Sequence, residues 1–392
     1  MVYFDNAATA PVDPDVFKAM EPYFMEQYGN PSSLHSLGRK ARIAVGEARL
    51  KCAKALNCHP DQIHFTSGST ESNNWAMEMM SMCLDDKWLM NKESDPPRVY
   101  ISQIEHKSVF NMPHNVALPV SPKGIIELSM FYDLIEDRPN HNTGIAIQWV
   151  NSEIGTIQPV EELADFCYKH QVMLHIDATQ AVGKFPIDLT KIHGITTLAL
   201  SGHKIGSAKG CGVLFVRDPD NASQFLRGGQ QEHGLRAGTE NVPGIVGLGA
   251  AMEKISKKTL KDWTLEGGHI RAMHDALKEE ISKIPMVRFN GDCEFQLPHY
   301  LNVSFKGIEG ESLLLALDRR GICVSSGSAC NSGSLEPSYV LKVIGVPDDY
   351  INGTIRISLS ENNTLEECEV VAKAIKEEVA KLREVSPTWK GE

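Results

Sequence analysis

The sequence predicts an α/β chain: a mostly parallel, seven-stranded sheet flanked by helices, followed by a smaller α+β unit. Two patterns predict it. Between residues 62 and 216, short apolar runs rich in β-branched residues alternate with helical ones, as in strands buried on both faces. Beyond about residue 260 the style changes to long amphipathic helices separated by strand-like runs.

The elements follow in order. Apolar residues at Leu37, Ala41, Ala44, Ala48, Cys52 and Leu56 recur at helical spacing over 37–56. Gly38 and Gly46 weaken that helix by roughly 1 kcal/mol each. Strands are expected at 62–66, 98–102, 117–120, 143–150, 172–176, 196–200 and 212–216, with helices at 70–83, at 160–170 and after His106. In the second unit, Ile270, Met273, Leu277, Ile281 and Ile284 form one helix face. Thr364 and Glu367 read as a capping box opening a helix whose face is Cys368, Val371, Ile375, Val379 and Leu382. Strands are expected between them, at 300–305 and 354–359. The expected domains are 15–258, a large cofactor-binding unit, and 1–14 with 259–392, a small one.

Composition narrows the function. The chain has 392 residues, long enough for two domains. No run of 18 apolar residues occurs, and the first residues carry no export signal, so a cytoplasmic protein without a membrane span is expected. Nine cysteines with no Cys-x-x-Cys pair argue for reduced thiols and against a disulfide frame or a metal site. A net charge of −11 leaves no electrostatic footprint for nucleic acid.

Polar residues cluster where strands are expected to end. Thr66-Ser-Gly-Ser-Thr-Glu71 follows the first, His106 the second, Asn151 the fourth, Asp177 with Gln180 the fifth, and Ser201-Gly-His-Lys204 the sixth. Ligands of open α/β sheets bind at that edge. Ser69 and Thr70 open a helix beside a glycine and suit a phosphate. Asp177 ends a buried strand, where a carboxylate needs a partner such as a pyridinium nitrogen. Lys204 suits an imine with an aldehyde cofactor, and His106 suits a ring stack. Taken singly, each has a plainer reading: a helix cap, a turn, a structural histidine. Together they describe a pyridoxal 5'-phosphate site. Cys330 is a second centre, because Ser325-Ser-Gly-Ser-Ala-Cys330 leaves its thiol unshielded.

The chain resembles the cysteine desulfurases of the NifS/IscS type, fold-type-I pyridoxal-phosphate enzymes of the class-V aminotransferase family. The matching segments run nearly end to end: Tyr3–Thr9, Tyr28–Ser33, Glu105–Ser108, Val150–Gly155, His175–Gln180, Ser201–Lys204, Arg236–Asn241, Ser325–Cys330 and Ile355–Ser358. The resemblance implies that Ser69, Thr70, Ser201 and His203 hold the phosphate, with Thr239 reaching in from the partner of a homodimer. It implies that Asn151 and Gln180 bond the ring oxygen side, Asp177 the ring nitrogen, and that His106 stacks and handles protons. Lys204 would carry the cofactor, Arg356 with Asn151 would bind the substrate, and Cys330 would take sulfur from L-cysteine as a persulfide. The sulfur would pass to an acceptor protein, for iron–sulfur cluster assembly or tRNA thiolation. Selenocysteine lyase and a plain aminotransferase are the alternatives. The chain departs from the family pattern at Gly206-Ser-Ala208, Ser152, Ala10 and Glu361-Asn362.

Overall fold

The structure, a computed structural model, describes residues 1–90 (side chains of 87–90 excepted), 96–113, 115–136, 142–258, 268–291, 294–326, 337–387 and 389–391. The chain opens with a short strand, β1 (Val2–Tyr3). The large sheet then takes β2 (Ile63–Thr66), β3 (Arg98–Ser102), β4 (Asn115–Leu118), β5 (Thr143–Gln148), β6 (Met173–Asp177), β7 (Thr197–Ser201) and β8 (Gly212–Val216). Their order across the sheet is β2-β8-β7-β6-β5-β3-β4. The neighbours from β4 to β7 pair in parallel, whereas β8 runs antiparallel to both β7 and β2. The expected seven-stranded, mostly parallel sheet is therefore present.

Its strands are apolar because helices cover them. Every residue of β2, β5, β7 and β8 is buried. The expected strand at 117–120 is shifted to 115–118, since Pro119 has no N–H to extend the ladder. The expected helix after His106 is a single turn, Lys107–Phe110, with His106 as its cap. The helix expected at 70–83 runs from Ser69 to Met90, because neither Gly nor Pro interrupts it. The helix Ser36–Leu56 buries Ala41, Ala44, Ala48, Cys52 and Leu56, as its periodicity predicts. It packs on Val242–Ser256 through small residues. A Cβ on Gly249 would sit 2.7 Å from the Ala48 backbone, so only glycine permits this approach.

A second core lies over an antiparallel sheet of β9 (Val287–Asn290), β10 (Tyr300–Phe305) and, after the two-residue β11 (Ile322–Cys323), β12 (Thr354–Ser358), in the order β12-β10-β9. The helices His269–Ser282 and Leu365–Val385 cover it with the faces read from sequence. The Thr364–Glu367 capping box is formed in both directions. Phe4, from the opposite end of the chain, is buried in this core.

The N-terminal segment ties the two sheets together. β1 pairs in parallel with β11. The Asn6 side chain donates to Ser358 O at 2.9 Å, and the Ala7 N–H to Ser358 Oγ at 2.9 Å. Ala10 N donates to His203 O, next to Lys204. Ser358→Ala leaves the buried Ala7 N–H without its acceptor and should cost about 1–3 kcal/mol. A urea melt in which the unfolding midpoint does not move would refute that ledger for the staple.

Candidate active site

β3, β5, β6 and β7 are parallel, so their carboxyl ends lie on one edge of the sheet, and β2 points the same way. At that edge is a cavity of about 380 Å³. Ser69, Thr70, His106, Asp177, Gln180, His203, Lys204 and Arg356 line it, joined by Ala7 and Ala8 from the N-terminal segment. Eight of the residues expected from sequence thus meet in one place.

At one end of the cavity the helix Ser69–Met90 begins, with Ser69 and Thr70 in its first turn. Backbone N–H groups there are unbonded within the helix and carry its positive dipole end. Gly68 lets this start nest against the neighbouring strands. Its φ is +155°, and its Cα would lie 2.7 Å from a Cβ on Gly212. Glu71 is held by Arg236 through two bonds of 2.7 and 3.1 Å. Burial opposes ionisation of Glu71, but the Arg236 and Ser67 bonds win and hold its carboxyl below the usual range. His203 lies beside Thr9, Nδ1 to Oγ1 3.1 Å. Burial, then Lys204 and Lys209, pull its pKa down to about 4, so it is neutral near pH 7.

The lysine lies at the floor. Lys204 Nζ donates to Ala7 O at 2.6 Å and to Ala8 O at 2.7 Å. Asp177, at the end of β6, accepts from Asn73 Nδ2 at 2.7 Å and from Thr179 N at 3.0 Å. Gln180 donates to Ala7 O at 3.1 Å and accepts from the Tyr300 hydroxyl at 2.5 Å.

Arg356, on β12, also lines the cavity and is only 3% exposed. Its Nη2 donates to Asp5 at 2.8 Å and its Nη1 to Ser152 O at 2.9 Å. Its Nε is buried with no hydrogen-bond partner among the described residues. Two further carboxyls, which sequence reasoning missed, stand close. Glu153 lines the cavity and accepts from Ser338 Oγ at 2.5 Å. Burial pushes its pKa up to about 7, against the pull of Ser338, Arg356, His106 and Lys107. Glu105 accepts from Ser102 and from Gln148 N, and burial raises its pKa to about 8. The signal for both was adjacency: each sits in a motif segment, next to a residue with an obvious chemical use.

Other expectations fare differently. Asn151 is buried at its strand end but off the cavity lining; its amide donates to Ile104 O, and its oxygen accepts from the N–H groups of Glu153 and Ile154. Ser201 is buried behind the lining, near Gly68. Thr239 lines a different cavity of about 170 Å³, with Ser67 and Arg236. Cys330 lies outside the described residues. The departure at Gly206 keeps a left-handed turn, φ +79°, that glycine permits. Glu361 is exposed and pairs with Lys258 at 2.5 Å. It is a solvated loop pair of small energetic weight.

These residues fit pyridoxal phosphate. A helix start faces one end of the cavity, a carboxylate, an imidazole and an amine line it, and the unpartnered Arg356 Nε awaits an acceptor.

Comparison with known proteins agrees. The class-V aminotransferase family matches residues 2–371. Cysteine desulfurase IscS of Methanosarcina thermophila is 41% identical over 98% of this chain and 94% of its own. Cysteine desulfurase NifS of Azotobacter vinelandii is 40% identical over 100% of this chain and 95% of its own. Among solved structures, a NifS-like protein superposes with a TM-score of 0.84 at 33% identity, covering 97% of this chain and 100% of that one. SspA in complex with cysteine gives 0.74 at 33% identity, over 92% and 99%. With the sheet, the lysine floor and the full-length match in agreement, the chain belongs to the class-V aminotransferase family, among the cysteine desulfurases.

Proposed function

We propose that the chain converts L-cysteine to L-alanine and places the sulfur on Cys330 as a persulfide. The observation that carries this reading is the meeting of Lys204, Asp177 and His106 with a buried Arg356 whose Nε lacks a partner. Pyridoxal phosphate, the cofactor of this family, supplies an electron sink for charge developing at the substrate Cα. Ser69, Thr70, Ser201 and His203 would hold its phosphate and Asp177 its ring nitrogen, with His106 against its face and Asn151 and Gln180 on the ring-oxygen side.

The chain's own groups do the rest. Arg356 binds the substrate carboxylate, its fork oriented in advance by Asp5 and Ser152 O. Lys204, as a neutral amine, takes the Cα proton and later returns it. His106 moves protons at the thiols. The Cys330 thiolate attacks the substrate sulfur: the S–S bond forms and the C–S bond breaks. The carbon keeps the electron pair and takes up a proton. Cysteine plus thiol therefore give alanine plus persulfide, with no outside oxidant.

Two anchors support the role of Cys330. Ser325, five residues before it, pairs with Arg356 through bonds of 2.6 and 3.1 Å, and five residues of extended chain reach at most about 18 Å. On the far side, Ser338 bonds Glu153 and Tyr339 bonds Glu105 O, both at the cavity. On this reading 15–258 is the large cofactor-binding domain and 1–14 with 259–392 the small domain that carries Cys330.

The working form is a homodimer in the cytoplasm. Phe24, Met25, Leu34 and Ile43, all at least 57% exposed, lie on the stretch from Pro22 to Leu56, apolar surface that a second copy would cover. Thr239 lines a second cavity and not the one around Lys204, which suits a role at a partner's site. The described cysteines are all free thiols, and no helix among the described residues is long and apolar enough to cross a membrane. The persulfide is then passed to an acceptor protein serving iron–sulfur cluster assembly or tRNA thiolation.

Lys204→Ala should lower alanine formation by on the order of 10³-fold or more and abolish borohydride-stable attachment of the cofactor, with the melting profile retained. Attachment surviving in that variant would move the lysine role elsewhere. Cys330→Ser should still bind cofactor and cysteine but form no persulfide, because a serine hydroxyl does not ionise near neutral pH. Sulfide released at the wild-type rate would exclude Cys330 as acceptor. Sedimentation should give a mass near twice that of the chain; a fully active monomer would refute the shared-site dimer.

A further inference from the structure

We propose that Asn73 is a positioning residue that locks the proton of His106 on Nε2 and, with the same amide, orients the Asp177 carboxylate. A buried, one-directional hydrogen-bond chain links β7, β6, the helix Ser69–Met90 and the turn that carries His106. Asn73 and His175 are fully buried, Thr197 is 2% exposed, Asp177 6% and Ser108 8%. None of these but Asp177 has a role in the chemistry proposed above.

Two end points force every direction. Asp177 Oδ2 accepts from Asn73 Nδ2 at 2.7 Å. The Asn73 amide nitrogen must therefore face Asp177, and its oxygen faces His175 Nε2 at 3.0 Å. His175 must then donate from Nε2 and accept at Nδ1 from Thr197 Oγ1, 2.9 Å away. Burial, opposed by Asp177 and by a contact with the Thr197 backbone, holds the His175 pKa down to about 4, so the ring keeps a single proton. The other Asn73 N–H is given to Ser108 Oγ at 2.8 Å. At the far end, Ser108 N donates to His106 Nδ1 at 3.2 Å, and a backbone N–H can only donate. His106 Nδ1 is thus an acceptor. Ser108 Oγ, 2.7 Å from it, completes the chain by donating its hydroxyl hydrogen. The neutral His106 ring carries its proton on Nε2.

The consequence is directional. A histidine with Nδ1 occupied offers the cavity a donor edge, not an acceptor. To take up a second proton at Nδ1 it must break the Ser108 N–H bond and turn the Ser108 hydroxyl. Asn73 couples this to Asp177, because rotating the amide to release Ser108 also strips a donor from the carboxylate. An apolar residue at 73 would leave Asp177, Ser108 and His175 each short of a partner in a buried place.

The role in catalysis rests on the His106 assignment above, but the central measurement does not. In holoenzyme labelled with ¹⁵N-histidine, the His106 signals, identified by their loss in His106→Gln, should show an unprotonated Nδ1 and a protonated Nε2 without substrate present. Ser108→Ala should weaken that lock and give a tautomer mixture, and Ser108→Thr, which keeps the hydroxyl, should restore the wild-type spectrum. Asn73→Ala, read in protein whose melting profile shows it folded, should give the same mixture. In both alanine variants kcat should fall about tenfold while KM for cysteine stays within about twofold, since Arg356 is untouched. A wild-type His106 protonated on Nδ1 overturns the proposal, as does an unchanged spectrum in both Ser108→Ala and folded Asn73→Ala. If the tautomers behave as stated but kcat does not change, the lock stands and the function assigned to His106 fails.

Discussion

Backbone carbonyls from the N-terminal segment meet the Lys204 amine at the cavity. A polar group taken out of water needs compensating partners, and Ala7 O and Ala8 O lie 2.6 and 2.7 Å from that amine. Residues 2–10 make these bonds while running across both sheets. Asp5 meets Arg356, Asn6 and Ala7 meet Ser358, and Ala10 meets His203. The wall built on the small sheet and the floor built on the large one are thereby set against each other by one stretch of chain.

The same rule organises the remaining charge. Arg356 is nearly enclosed, yet Asp5 and Ser152 O occupy only part of its fork. Its Nε has no partner among the described residues, and buried polar groups of that kind are usually satisfied by a bound group. Glu105 and Glu153 follow a different course: burial raises both toward neutrality, and short bonds from Ser102 and Ser338 hold them in place. A crevice crowded with carboxyls thus escapes the repulsion that full ionisation would bring. Buried polar groups of this kind act as a network, in which removing one member strands the others.

Two of the departures from the family pattern, at Gly206 and Glu361, fall outside the cavity lining, whereas Ser152 lines it and Ala10 bonds His203 through backbone atoms. Gly206 takes up the left-handed turn that the altered segment needs, and Glu361 meets Lys258 at the surface. Both lie where backbone or solvent absorbs the change. The segments facing the cavity, from Glu105 to Ser108 and from His175 to Gln180, keep their chemistry and their hydrogen bonds.

The sequence by itself determined what is local or periodic. Strand and helix positions follow from runs and repeats; the ends were less legible, as where Pro119 set the end of one strand and the helix from Ser69 ran seven residues past its expected end. It also marked the residues whose position after a strand is itself the signal: Asp177, His203 and Lys204. Only the tertiary structure decided what depends on distance through space. Nothing near Arg356 in the chain announces Asp5, which is 351 positions away, and nothing near Asp177 announces Asn73, 104 positions before it. Asn151 shows the same limit: the strand end was legible, but the turn that claims its side chain was not. Periodicity reports which face of an element is buried. Hydrogen-bond partners across elements are set by packing, which no single segment encodes.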